Sequence, residues 1–247
     1  MSATAFGQHT PRSVGLSGER YFLVMSALLL ALAVAGFVPS LYLRQWLWPD
    51  VFNGQRHGAA LPPYLYAHGI ALTAWFVIAL VQTSLVAVRR TPVHRQVGVF
   101  GVCIALAVVI TSLSTTAARD APVLTEQPGR ALPQLLTVST FALCVAAGTL
   151  LRRKPALHKR LMLVASLSVV GPAISRLASN LGAKNFSVIS AATILTMLAS
   201  LPVRDLLREG RVHRGTTIGF LLVGLGFCVA FLMTRTALWP GVARLLS

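Results

Sequence analysis

Long apolar stretches alternate with short polar connectors along most of the chain. An α-helix needs about 20 mostly apolar residues to cross the hydrocarbon core of a bilayer, and seven stretches come close to that length or exceed it. They run over residues 21–43, 62–88, 96–117, 133–151, 159–179, 186–203 and 216–238. The pattern predicts an all-α fold, a polytopic membrane helix bundle with seven transmembrane helices in residues 20–240. Residues 1–19 are predicted to form a disordered polar cytoplasmic tail, and residues 241–247 a short C-terminal tail.

Prolines refine the limits of these helices. Pro63 and Pro133 suit the first turns of the second and fourth helices, where a missing N–H costs little. Pro202 is predicted to end the sixth helix. Gly171 and Pro172 lie inside the fifth apolar run, where a proline removes a backbone hydrogen bond and predicts a kink.

The composition supports a membrane protein. Of the 247 residues, 55% are hydrophobic and 11% are charged, whereas a soluble domain carries about 25% charged residues. The 22 basic and 6 acidic side chains give a net charge of +16. Because the basic residues cluster between apolar runs, they indicate loops at a membrane surface, and nucleic acid is not predicted as a partner. The lipid bilayer is the predicted partner.

Three basic connectors share one pattern. They read "RRTPVHRQVG" from Arg89, "RRKPALHKRLM" from Arg152 and "REGRVHRGTT" from Arg208. In a seven-helix topology, all three fall on the same side as the N-terminal tail. The positive-inside rule therefore predicts an N-terminus in the cytoplasm and a C-terminus outside, in the bacterial inner (plasma) membrane. Trp46, Trp48 and Trp239 would then lie at the outer boundary.

Each repeated phrase contains one histidine: His94, His158 and His213. If the third, fifth and seventh helices are neighbours, these imidazoles converge in one leaflet. Together with Asp205 they form a candidate zinc site, because three histidines and a carboxylate can bind zinc. The alternative is that each histidine binds a lipid phosphate or a loop carbonyl, which the flanking positive charges favour.

The second helix and the outer half of the bundle suggest a ligand site. His68, Trp75 and Gln82 are spaced seven residues apart, so they share one stripe that should face the bundle interior. Arg176 lies near the outer end of the fifth helix, where it either reaches the headgroups or binds an anion. Serines and threonines are frequent at the same outer ends. We therefore expect a cavity in the outer half, with His68 and Arg176 in its wall.

Several segments show a family resemblance. "AHGIALTAWF", "VQTSLVAVRRTPVHRQVGVFG", "LHKRLMLVASLSVVGPAISRL" and "GRVHRGTTIGF" resemble an uncharacterised family of bacterial polytopic inner-membrane proteins, over about residues 62–220. The helix start "HRQVG" is more loosely similar to cytochrome b561-like proteins. That resemblance implies haem b ligated by histidines on neighbouring helices. The candidates are His68, His94, His158 and His213, and Arg176 or the inner arginines would hold the propionates.

Three functional hypotheses follow, beside the possibility that the polar residues only pack helices and no cofactor binds. The first is a membrane redox protein with one b-type haem, linked to a quinone. The second is a module that binds or transports a small anionic or amphipathic ligand through His68, Trp75, Gln82 and Arg176. The third is a zinc-dependent membrane lipid hydrolase in which Asp205 orients water. Catalytic residues, enzymatic activity and oligomeric state are not predicted.

Overall fold

The computed structural model describes residues 16–47, 51–52, 55–56, 61–120 and 128–235, and these residues are almost entirely helical. The helices are α1 (Leu16–Phe37), α2 (Arg44–Leu47), α3 (Pro63–Ala87), α4 (Thr91–Asp120), α5 (Pro128–Leu150), α6 (Pro155–Val169), α7 (Gly171–Asn180), α8 (Phe186–Glu209) and α9 (Arg214–Arg235). A π-helical turn, Val38–Tyr42, continues α1. Two short strands, β1 (Val51–Phe52) and β2 (Gln55–Arg56), pair antiparallel.

Five helical segments of the described chain are long and apolar enough to cross a membrane. They are Gly18–Tyr42, Pro63–Ala87, Thr91–Ala118, Leu132–Leu150 and Phe186–Glu209. Helices α6 and α7 meet at an angle of 41° and together make a sixth candidate span. Helix α9 covers most of the seventh predicted stretch but is not among these spans. The seventh crossing and the orientation stay predictions, while residues 1–15, Trp48, Trp239 and residues 241–247 lie outside the described part.

Two of the proline predictions are confirmed. Helix α3 begins at Pro63, with Pro62 as its N-cap residue. The fifth predicted helix is interrupted as expected, because α6 ends at Val169 and α7 begins at Gly171. The bend is sharp enough to make two helices of one apolar run.

Two other proline predictions are wrong. Helix α5 begins at Pro128, so Pro133 lies inside it. Helix α8 continues past Pro202 to Glu209, and Gly210 follows as its C-cap residue. The positive φ of Gly210, 69°, suits a helix end, and its N–H donates to the Leu206 carbonyl. A proline removes only its own N–H, so the neighbouring hydrogen bonds continue the helix. The longer α8 contains Asp205, which the sequence had placed in a loop.

Helix α6 lies at the centre of the bundle. It contacts α1, α3, α5, α7, α8 and α9. Its residues from Arg160 to Val169 are buried, apart from Met162 and Ser168, which are partly buried. A helix that is apolar on nearly all sides is expected in such an interior position. Large aromatic residues from the surrounding helices complete the core: Phe37, Phe76 and Phe141 are essentially inaccessible.

Small residues allow the closest helix contacts. A methyl group at Gly36 of α1 would overlap the backbone carbonyl of Ala173 in α7, and one at Gly219 of α9 would overlap the Val164 side chain in α6. Membrane helices commonly use such residues to bring their backbones together. The contact at Gly36 fixes α7, and therefore Arg176, against α1.

Candidate functional site

A cavity of about 370 Å³ lies in the half of the bundle away from the repeated basic phrases. Helices α3 to α9 all contribute to its wall. Its polar lining includes His68, Ser112, Gln134, Ser168, Arg176 and Ser190, and its apolar lining includes Leu72, Leu167, Ile194 and Val223. The structure thus brings His68 and Arg176 to one cavity, although they lie 108 positions apart in the sequence.

The hydrogen bonds of Thr111 indicate the tautomer of His68. The Thr111 hydroxyl donates to the Ala107 carbonyl at 2.7 Å. His68 Nδ1 lies 3.3 Å from the same hydroxyl oxygen. Since the hydroxyl proton points to Ala107, the Thr111 oxygen can accept a hydrogen bond from a His68 ring with its proton on Nδ1.

Arg176 supplies the positive charge of the cavity wall. It is half-buried, and its guanidinium carbon lies 5.4 Å from the centre of the Phe37 ring, a cation–π contact that orients the side chain. Asn180 follows one helical turn later on the same face of α7. Both polar atoms of its amide are buried and have no hydrogen-bond partner in the described part of the chain.

The hydroxyl groups of the wall have already donated their protons to backbone carbonyls. Ser112 donates to the Val108 carbonyl at 2.6 Å, and Ser168 donates to the Ala165 carbonyl at 2.8 Å. Ser190 donates to the Gly171 carbonyl at 3.0 Å. Because each hydroxyl has one proton and two lone pairs, these oxygens can still accept from a ligand. The wall therefore combines one cationic donor with several neutral acceptors.

The other two residues of the α3 stripe serve different sites. Trp75 is buried, donates its indole N–H to Ser166 Oγ at 3.2 Å and packs edge-on against Phe141. Gln82 lies at the opposite end of α3, beside His94. When its side-chain amide is oriented with the nitrogen toward His94, that nitrogen donates to the His94 carbonyl at 3.1 Å. The stripe faces the interior as predicted, but neither residue lines the cavity.

Two of the three repeated histidines come together. The ring centres of His94 and His158 lie 6.2 Å apart, with the ring planes nearly perpendicular. His158 Nδ1–H donates to the Gly148 carbonyl at 2.8 Å, and His94 Nδ1 lies 3.4 Å from the Gln82 carbonyl. In His158, Nδ1–H is bonded to a backbone carbonyl, so Nε2 is the nitrogen that this ring could offer to a metal. His94 Nδ1 also meets the Gln82 side-chain amide nitrogen in the orientation described above.

His213 belongs to a different group. Its backbone N–H donates to Asp205 Oδ2 at 3.2 Å, and its Nδ1 accepts from Gly215 N–H at 3.0 Å. The ring therefore caps the start of α9. Burial, together with the nearby Arg160 guanidinium, lowers the pKa of His213. No group of three or more His, Cys, Asp or Glu in the described residues could hold a metal ion, so the zinc set stays a prediction.

Sequence reasoning missed a buried ion pair beside His213. Arg160 donates to Asp205 through Nε at 3.2 Å and through a terminal nitrogen at 2.5 Å, and the two side chains are 1% and 0% exposed. The Thr216 hydroxyl also donates to Asp205. Arg160 makes a second ion pair with Glu209, and Arg204 pairs with both carboxylates. The signal in the sequence was Arg160 itself, because an ionisable residue within a membrane helix needs a partner.

No protein family model matches the chain, and neither a curated protein nor a solved structure shows significant similarity to it. A functional proposal therefore rests on the geometry of the cavity and of the histidine pair.

Proposed function

We propose that the chain is a multi-pass protein of the bacterial inner membrane that binds or transports a small anionic or amphipathic ligand in the cavity of His68 and Arg176. The proposed topology has seven spans, with the N-terminus inside and the C-terminus outside. The observation that carries the proposal is the cavity itself, because a cation, an imidazole and several acceptor hydroxyls meet there inside a bundle of apolar helices. Intramembrane ionisable residues commonly mark ligand or ion sites.

The size and lining of the cavity suggest the class of ligand. Its volume of about 370 Å³ is at the lower end for small-molecule sites. Arg176 would form a charge-assisted hydrogen bond with a carboxylate or a similar anion. The hydroxyl oxygens of Ser112 and Ser168 would accept from hydroxyl or N–H groups. We therefore favour a compact apolar molecule with one anionic group and one or more hydrogen-bond donors.

A quinol is a weaker match to the same wall. Its hydroxyl groups would donate to the acceptor side chains, but a neutral molecule would make no use of the Arg176 charge. An anionic ligand uses both features.

A ligand screen on the full chain in lipid nanodiscs tests the proposal. Thermal stabilisation would be measured with a panel of small aliphatic and aromatic carboxylates and with their neutral amides. Arg176→Gln is expected to weaken carboxylate binding about tenfold to a hundredfold, the range of a hydrogen bond to a charged group, and to leave amide binding unchanged. Lys184→Gln, which removes an exposed cation outside the cavity, is the matched control.

Two results would contradict this proposal. One is equal carboxylate binding by wild type and Arg176→Gln. The other is a failure of every member of the panel to stabilise the wild-type protein. Arg176→Lys separates charge from geometry, because lysine keeps the charge but lacks the planar donor pair of arginine.

A second candidate function is electron transfer through one haem b at His94 and His158. The observation that favours it is the close approach of two imidazoles from different helices, each with Nδ1 against a backbone carbonyl. This donor set fits a b-type haem, for which two histidines are sufficient protein ligands. When bound, haem would supply one-electron chemistry, and the exposed arginines near the pair would attract its propionates.

Absorption spectroscopy tests the haem candidate. Protein expressed with supplementary haem should show a Soret band that is lost in His94→Ala and in His158→Ala. The band should persist in His213→Ala, because His213 caps α9 instead of facing the pair. A colourless wild-type protein would remove this candidate.

No contact in the described residues specifically favours the zinc hydrolase. His213 and Asp205 interact with each other, whereas His94 and His158 form a separate pair. Elemental analysis of wild type and His158→Ala would test the zinc hypothesis directly, since equal zinc contents would count against it.

A further inference from the structure

Two basic loops at the same end of the bundle form a continuous charged region. The loop between α3 and α4 carries Arg89 and Arg90, with Arg95 in the first turns of α4. The loop between α5 and α6 carries Arg152, Arg153 and Lys154. All six side chains are exposed, and the contact between His94 and His158 joins the two loops. We call these six residues the cationic rim.

Nearby carboxylates are already occupied by other cations. The described residues place three acids at this end: Glu19, Asp205 and Glu209. Glu19 pairs with Lys159 at 2.8 Å, while Asp205 and Glu209 pair with the largely buried Arg160 and Arg204. These three acids thus balance three cations that do not belong to the rim. Within the described residues, the six cations of the rim therefore make no ion pair with a carboxylate and are open to an anion at the bilayer surface.

Arg89 adds a second, independent observation. It has a positive φ of 61°, an unfavourable conformation for a residue with a side chain. Its N–H donates to the Val86 carbonyl, and the N–H of Arg90 donates to the Leu85 carbonyl. This is the Schellman arrangement, in which glycine is the usual residue at the left-handed position. Backbone strain at Arg89, where glycine would fit without strain, is a reason to look for a function of the arginine side chain.

We propose that the cationic rim binds the phosphate groups of anionic phospholipids. The rim lies at the ends of helices that are able to cross a membrane, and so at the level of the lipid headgroups. Basic clusters at such positions attract anionic lipids. A soluble polyanion such as nucleic acid would match the charge but not this position at the bilayer surface.

Spin-labelled lipids measure the proposed preference. The full chain would be reconstituted in phosphatidylcholine bilayers, and the association of labelled phosphatidylglycerol would be compared with that of labelled phosphatidylcholine. We expect a severalfold preference for phosphatidylglycerol that declines as salt is added. Arg152→Gln combined with Arg153→Gln should remove most of this preference, because each arginine near the surface contributes to the attraction of anionic lipids. Lys184→Gln, at the opposite end of the bundle, should not change it.

Arg89→Gly distinguishes a lipid-binding role from a structural one. Because glycine relieves the strain, this variant should have a higher unfolding temperature in phosphatidylcholine, together with a smaller preference for phosphatidylglycerol. A purely structural arginine would not separate the two measurements in this way.

The proposal would be overturned by equal association of the two lipids with wild type. It would also be overturned by an unchanged preference in the Arg152→Gln and Arg153→Gln double variant, or by an equal loss in Lys184→Gln. Binding of a nucleic acid without any lipid preference would assign the rim to a different partner. None of these outcomes depends on the ligand of the cavity.

Discussion

Replacing Asp205 with asparagine tests the most deeply buried electrostatic contact in the described chain. The carboxylate is fully buried and accepts hydrogen bonds from Arg160, Arg204, Thr216 and the backbone N–H of His213. These donors come from α6, α8, α9 and the segment that precedes α9. Asparagine keeps the shape of the side chain but removes the charge, so Arg160 loses its main buried counter-ion.

The expected destabilisation follows from the burial of the pair. Arg160 is 1% exposed, so it cannot regain solvation when its partner becomes neutral. Breaking one side of a buried ion pair typically costs 3–5 kcal/mol. Since Glu209 still contacts Arg160, we expect a loss of about 3 kcal/mol in the free energy of unfolding. Glu209→Gln is the matched control: its side chain is 35% exposed, and pairs near solvent contribute about 0–1 kcal/mol.

Equilibrium unfolding by SDS titration of the protein in mixed micelles, followed by circular dichroism, gives both free energies. A double variant, Arg160→Met with Asp205→Asn, removes the buried guanidinium and keeps an oxygen that accepts from Thr216 and the His213 N–H. It should be more stable than Asp205→Asn, because it leaves no unpaired buried charge. The reasoning is refuted if Asp205→Asn is no less stable than Glu209→Gln, or if the double variant is as unstable as Asp205→Asn.

Two further predictions concern His213 and Gly36. The pKa of His213 is lowered in the folded state by burial and by Arg160, so the unfolded chain, with an ordinary histidine pKa of about 6.5, binds the proton more readily. Stability should therefore decline as the pH falls from about 7 through the unfolded-state pKa of about 6.5. His213→Asn provides a non-titrating cap for α9, so its unfolding midpoint should decline less over the same pH range. Gly36→Ala forces a methyl group against the Ala173 carbonyl and should lower the free energy of unfolding by about 1–3 kcal/mol. Gly224→Ala, which has open space at the added methyl, should leave it nearly unchanged. Equal stability of the two variants would contradict the close α1–α7 contact.

The sequence predicted the features that depend on local chemistry. Apolar length identified the helices, and the Gly171 and Pro172 pair identified the bend between α6 and α7. The spacing of His68, Trp75 and Gln82 indicated the interior face of α3. Frequent hydroxyl residues at the outer ends indicated the half of the bundle in which the structure contains the cavity.

Features that depend on neighbouring helices could not be predicted in the same way. Pro202 was expected to end the sixth helix at residue 203, so Asp205 was placed beyond that helix and apart from Arg160 of the fifth. The structure extends α8 through Pro202 and so brings Asp205 opposite Arg160. His94, His158 and His213 also occupy equivalent positions in the repeated basic phrase, so the sequence does not distinguish them. Only the arrangement of helices separates the first two, which meet, from the third, which caps α9.

The wall of the cavity has a consequence for the order of biosynthesis. It draws on α3, through Leu65 and His68, and on α9, through Val223 and Gly226. A nascent chain that has inserted its early helices still lacks one side of the pocket until the ribosome has passed Gly226. The wall of the pocket is thus complete only after α9 has been synthesised and packed against the earlier helices, and a ligand that stabilises the pocket would act on the assembled bundle rather than on its partly inserted precursors.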